Sequence, residues 1–168
     1  MKIFTQEEFD AFECNELNLK ICPTGDYSNI KTIDHCSFGG WCSFGKACSF
    51  GESCSFGGWC SFGKACSFGE SCSFGEWCSF GESCSFENKK MKTGNPYIAL
   101  DRCGSVGRKV YIFNCDDGLF VRAGCFFGTA KEFLAAALKD CRGNKKAVKY
   151  VQYSGFVKIA RATFERDS

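Results

Sequence analysis

The chain has 168 residues, 45% of them hydrophobic, with 21 Lys and Arg against 19 Asp and Glu for a formal net charge of +2. That length fits one compact unit or a repeat rod with a small appended domain, and the lack of any run of 18 apolar residues argues against a membrane span. The opening segment carries Glu7 and Glu8 where a signal peptide needs an apolar stretch, so the expectation is a soluble, unexported protein.

Residues 1–35 read as an N-terminal cap. Thr5 and Glu8 have the spacing of a capping box, in which a hydroxyl and a carboxylate satisfy each other's backbone N–H groups, and they predict a short helix carrying Phe9 and Phe12. Leu17, Leu19 and Ile21 alternate like a strand. Asp26 to His35 predicts an irregular first turn leading into the segment that follows.

From Cys36 to Asn88 the chain repeats Cys-Ser-Phe-Gly plus two variable residues nine times, and only the last copy replaces the glycine, by Glu87. A slower beat runs above this one: Trp41, Trp59 and Trp77 recur every 18 residues, so every third hexad returns to an equivalent place. A period of six nested in a period of 18 implies a coil with three sides per turn. On an extended side, Cys and Phe point one way and Ser the other, which makes Cys and Phe the buried pair. The glycine after Phe is read as supplying the dihedral freedom of a sharp corner, completed by the two variable residues. Stacked turns then pair as parallel strands about 4.8 Å apart. The flanking segments are the candidates to cap the two ends, where strand edges would otherwise lie open.

This array resembles the hexapeptide-repeat family of left-handed β-helices, whose consensus places a small residue, any residue, an aliphatic residue and then Gly. Cys, Ser, Phe and Gly fill those slots, with Phe where Ile, Leu or Val is usual. The resemblance implies a mainly β protein built on a short left-handed parallel β-helix of three 18-residue coils over 36–89, and it alone supplies the handedness. Together with Gly124-Cys125-Phe126-Phe127-Gly128-Thr129 and the helical pattern behind it, the array also resembles proteins of phages and bacterial genomes that carry tandem Cys-Ser-Phe-Gly repeats. That implies a phage context and no activity.

Residues 90–168 form a second domain with a different grammar, a small α+β unit. Glu87 to Pro96 reads as a polar linker. Tyr97 to Arg102, Lys109 to Asn114 and Leu119 to Ala123 predict three strands, the last two joined by Asp117-Gly118. Thr129 and Glu132 form a second capping box, opening a helix through about Cys141 with Phe133, Leu134, Ala137 and Leu138 on its buried side. A last helix from about Lys145 to Glu165 places Val148, Val151, Phe156 and Ile159 on one stripe, interrupted at Ser154-Gly155. Charge divides with the domains. Up to Glu87 five Lys face twelve acids, a net −7, and beyond it sixteen basic residues face seven acids, a net +9.

Few residues are candidates for chemistry. Fifteen cysteines suggest a disulfide framework in a secreted protein, but nine belong to the repeat, the total is odd, and in-register thiols on stacked strands suit a disulfide poorly. They read as reduced thiols in the cytoplasm of a bacterial host. No Cys-x-x-Cys pair exists, so no metal and no cofactor is expected. Gly40 to Lys46 imitates the start of a phosphate-binding loop, but Ala47 stands where a magnesium ligand belongs, and the repeat explains the glycines. Cys125 reads as a small core residue rather than a nucleophile. Many hexapeptide-repeat proteins are acyltransferases that use a histidine base, and the only candidate here is His35.

Two surfaces remain. Trp41, Trp59 and Trp77 turn outward by alternation from the inward cysteines and predict an apolar ridge for a protein partner or self-association. Arg142, Lys145, Lys146, Lys149, Lys158 and Arg161 make a possible anion-contacting face through which nucleic acid would bind. Residues 41–58 and 59–76 differ only at Gly58 against Glu76, and copied coils lengthen a uniform surface rather than build a converging active site. The expectation is a non-enzymatic interaction or scaffold module. The alternatives are a small acyltransferase and a nucleic-acid-binding protein.

Overall fold

Thr5 caps a short helix, α1 (Gln6–Asp10), by the expected capping box: Glu8 N–H donates to the Thr5 hydroxyl at 3.2 Å and Thr5 N–H to the Glu8 carboxylate at 2.9 Å. The computed structural model describes residues 1–103, 108–140 and 145–166, with side chains outside 101–108, 140–151 and 166. It divides into two units, Met1–Pro96 and Tyr97–Ser168.

The first unit is a β-solenoid. β1 (Lys20–Cys22) and β2 (Thr32–Ile33) precede nine strands, one per hexad: β3 (Cys36–Phe38), β4 (Ser43–Phe44), β5 (Ser49–Phe50), β6 (Ser55–Phe56), β7 (Ser61–Phe62), β8 (Ser67–Phe68), β9 (Ser73–Phe74), β10 (Ser79–Phe80) and β11 (Ser85–Phe86). They stack in parallel on three faces, ordered β1-β3-β6-β9, β4-β7-β10 and β2-β5-β8-β11. Serine lies over serine and phenylalanine over phenylalanine from coil to coil.

An additional, irregular coil begins at Lys20. Its register is shorter, with Lys20 beside Cys36 and Thr32 beside Ser49, before the spacing settles at 18. The expected strand over 17–21 is therefore displaced. Leu17 and Ile21 face solvent, and Cys22 is the buried residue of β1. Ile21 aligns with the outward Ser37, so the solenoid register overrides the apolar alternation.

Phenylalanine fills the tube in a way an aliphatic residue cannot. Each ring from Phe38 to Phe80 meets the next along the chain edge-on, with centroids 4.9–5.1 Å apart and planes at 82–89°. Along the axis the rings stack face to face, as in Phe50–Phe68 at 4.8 Å and Phe44–Phe62 at 4.9 Å. Tyr27 and then Phe4 continue one column into the cap, at 5.5 and 5.0 Å. Edge-to-face geometry suits the aromatic quadrupole and adds about 0.5–1.5 kcal/mol per pair beyond area burial.

The glycine and the corner exchange the roles expected of them. Positive φ falls on the residue before each repeat cysteine, at His35, Trp41, Ala47, Ser53, Trp59, Ala65, Ser71, Trp77 and Ser83, with values of 47–62°. The glycine instead marks a close approach between coils: a Cβ on Gly63 would lie 2.7 Å from the Gly45 carbonyl carbon and 2.8 Å from the Lys46 nitrogen. Between coils, Ser61 and Gly63 N–H groups donate to the carbonyls of Cys42 and Phe44, and Ala65 N–H donates to Glu82. This pattern leaves the glycine carbonyl to the thiols, and at Gly39 and Gly45 the next cysteine of the same coil donates to it at 3.4 Å. Cys66, Cys72, Cys78 and Cys84 donate to Gly45, Gly51, Gly57 and Gly63 at 3.2–3.3 Å.

Glu87 to Pro96 is a lid rather than a linker. β12 (Lys89–Lys90) turns back antiparallel on β11, Gly94 exchanges two backbone hydrogen bonds with Phe80, and Met91 and Pro96 are buried. The lid blocks an open strand edge that would invite uncontrolled pairing.

The second unit is an antiparallel meander of β13 (Tyr97–Cys103), β14 (Arg108–Cys115), β15 (Gly118–Ala123) and β16 (Phe126–Thr129), followed by α2 (Ala130–Asp140) and α3 (Lys145–Arg166). Three strands and the capping box at Thr129 and Glu132 appear as expected. β16 is added, formed by the Phe126-Phe127-Gly128-Thr129 segment. Val110, Ile112 and Val121 pack with Ala130 and Phe133 of α2 and Val157, Ala160 and Phe164 of α3. The expected α3 stripe is thus corrected. The helix continues through Gly155, Ile159 is exposed, Phe156 is partly buried, and the side chains of Val148 and Val151 lie outside the described residues. On α2, Leu138 is also exposed.

Candidate functional site

The tryptophan ladder is an exposed apolar column on the solenoid. Trp41, Trp59 and Trp77 occupy the sixth position of the first corner in three consecutive coils and are 62%, 51% and 61% exposed. Their rings stack at 5.1 Å and 4°, then 5.6 Å and 18°. The backbone fixes them, since Trp41 and Trp59 N–H groups donate at 2.9 Å to Gly58 and Glu76 one coil on. Stacking occupies the ring faces between neighbours, so the ladder offers its outer edges as a ridge. The equivalent positions at the other corners hold Ala or Ser in the same left-handed conformation. The flanks of the ridge are nearly uncharged, with Gly40, Gly58 and Glu76 one residue before the rings.

A second feature was not visible in the sequence. A groove of about 390 Å³ runs along the face of β5, β8 and β11. The hydroxyl ladder Ser49, Ser67 and Ser85 lines it, with Ser67 Oγ 3.4 Å from Ser49 Oγ. Gly51, Gly69 and Glu70 line it as well. The signal that could have found it is the glycine column beside a column of acids.

His35 sits on an exposed corner, in the place held by Ser53 and Ser71 one and two coils on. Its Nδ1 lies 3.0 Å from the Asp34 carboxylate, and its backbone N–H reaches Glu52 at 3.2 Å. Of the basic face, Lys158 and Arg161 are exposed one turn apart on α3. Lys145, Lys146 and Lys149 lie on the same helix with side chains outside the described residues, as does Arg142 altogether. Cys125 is exposed rather than buried in a core, because β16 starts after it. All described cysteines are free thiols, and among the described residues no group of three or more His, Cys, Asp or Glu converges as a metal site. No described helix is long and apolar enough to cross a membrane.

No protein family, curated protein or solved structure matches the chain.

Proposed function

We propose that the chain is a non-enzymatic interaction module whose β-solenoid presents a rigid tryptophan edge to a protein partner. The observation that carries this reading is the exposed, regularly stacked Trp41, Trp59 and Trp77. Three large aromatic side chains held at fixed spacing on a solenoid lose little entropy on binding, and aromatic anchors dominate interface energetics. Copied coils suit such a surface because they extend one recognition pattern. Free thiols fit a reducing compartment such as a bacterial cytoplasm, and the resemblance of the array to phage proteins suggests a phage or host protein as the partner.

The test is capture from the source cell with immobilised protein, comparing the native chain with W41S/W59S/W77S. Serine already occupies this corner conformation at Ser53, Ser71 and Ser83, so the variant keeps the coil intact. Partner capture should be lost in the variant. Retention of every captured protein would sink the reading.

A further inference from the structure

We propose that the partner of the tryptophan ridge is a second copy of this chain, which receives the ridge in the groove along Ser49, Ser67 and Ser85. This inference rests on the interaction reading above and names its partner.

Pitch comes first. The rings repeat at 5.1 and 5.6 Å, and the groove is built on parallel strands that repeat at about 4.8 Å. Two surfaces of nearly equal period lie in step, so each ring meets an equivalent rung instead of drifting out of register. The counts agree as well: three rings face three serine rungs. A partner lacking that period would match one ring and misplace the others.

Shape comes second. At these exposures the three side chains offer on the order of 400 Å². A standard interface buries about 800 Å² per partner. Two convex ridges meeting edge to edge would touch along a line and fall short of that. A ridge lowered into a groove adds the walls, which extend from the serine column to Glu70.

Hydrogen bonding comes third. None of the three indole N–H groups has a hydrogen-bond partner within the described residues, and the groove supplies serine hydroxyls and the Glu70 carboxylate as acceptors. Within one molecule the two surfaces cannot meet. The ridge follows β3, β6 and β9, whereas the groove lies on the face of β5, β8 and β11.

The contact is heterologous, corner into face, so a pair of copies keeps one free ridge and one free groove. Association then proceeds to chains or a closed ring rather than stopping at a two-fold dimer. Sedimentation velocity over a concentration series tests this, with W41S/W59S/W77S and with Ser67→Arg, which fills the groove from an exposed position. The native protein should associate, and each variant should do so at least about thirtyfold more weakly, the effect of losing one interface hot spot. Circular dichroism checks that both variants remain folded. The decisive sample is their mixture: the ridge of S67R and the open groove of the tryptophan variant should restore a one-to-one complex. A native protein that stays monomeric, a variant that associates as the native chain does, or a mixture that stays monomeric would each overturn the inference. A monomeric native chain that still captures another protein through its tryptophans overturns only the choice of partner. If ridge-dependent capture is missing too, the interaction reading falls with it.

Discussion

The repeat cysteine does more than fill a small slot. Backbone bonding between coils uses the Cys and Phe carbonyls, and the thiol one coil on reaches the glycine carbonyl at the corner, as Cys72 does to Gly51 at 3.2 Å. A buried acceptor left without a donor costs about 1–3 kcal/mol, so alanine in place of a buried cysteine should be expensive although it is nearly as small. Cys72→Ala is expected to lower unfolding free energy by about 2 kcal/mol, and Cys72→Ser by less, because the hydroxyl still reaches Gly51. Urea titration of both variants under reducing conditions checks the order. Equal losses, or a better-tolerated alanine, would mean that the thiol contributes packing alone. The sequence showed that these cysteines belong to the core, since spacing and alternation place them beside Phe. It did not show the donor role, which depends on a partner 21 residues away.

At the scale of the coil, each hexad assigns steric crowding and positive φ to different residues. Gly63 is crowded by Gly45 and Lys46 of the coil below, whereas Ala65 carries φ of 59° on an exposed corner. The two ordinary expectations for Gly and Ala exchange therefore apply two residues apart with opposite sign. Gly63→Ala should cost several kcal/mol or prevent folding, because the clash is with backbone that cannot turn aside. Ala65→Gly should stabilise by about 0.5–1 kcal/mol, the relief of a left-handed alanine less the extra freedom of glycine when unfolded. Thermal melts of the two variants give the signs directly. From the sequence, the hexad and its inward pair were readable because period and chemistry coincide. The assignment of the corner was not. Glycine at a turn is normally read as a dihedral requirement, and only the stacked neighbour reveals that Gly63 is needed for close approach. Likewise the last helix hides its buried side: Ile159 looks like core and is exposed, while small Ala160 is buried against the sheet. Packing geometry, not residue hydrophobicity, decides between adjacent positions there.

For the whole molecule, the sequence foretold a solenoid followed by a small α+β unit, and it missed both the extra coil from Lys20 and the lid at Glu87–Pro96. Both segments lack the hexad, and both are held by backbone pairing that leaves no periodic trace, such as Lys20 beside Cys36 or Gly94 beside Phe80. A stack closed at both ends should behave as one cooperative body in which the thiol columns are sealed from water. Hydrogen bonds to column neighbours, then burial, push Cys54, Cys60 and Cys66 well above the ordinary thiol range, so these groups stay neutral in the folded state. Hydrogen bonds to Cys66 instead lower Cys48 and Cys84 to about 7, so these two contribute stability that grows between about pH 7 and 8.5 and is constant above it. The unfolded chain ionises its thiols near pH 8.5. A pKa raised in the folded state gives stability that is present below the unfolded value and lost above it, because the unfolded state alone then releases protons. With three thiols held neutral, unfolding free energy should fall above pH 8.5 at about 4 kcal/mol per pH unit, three times the 1.4 kcal/mol of a single group. Urea midpoints measured in reductant from pH 7 to 10 read this slope, since other groups that titrate only near pH 10 enter late. Stability that stays level through pH 9.5 would mean that the thiols ionise as readily in the folded solenoid as in the open chain, and the sealed core would have to be abandoned.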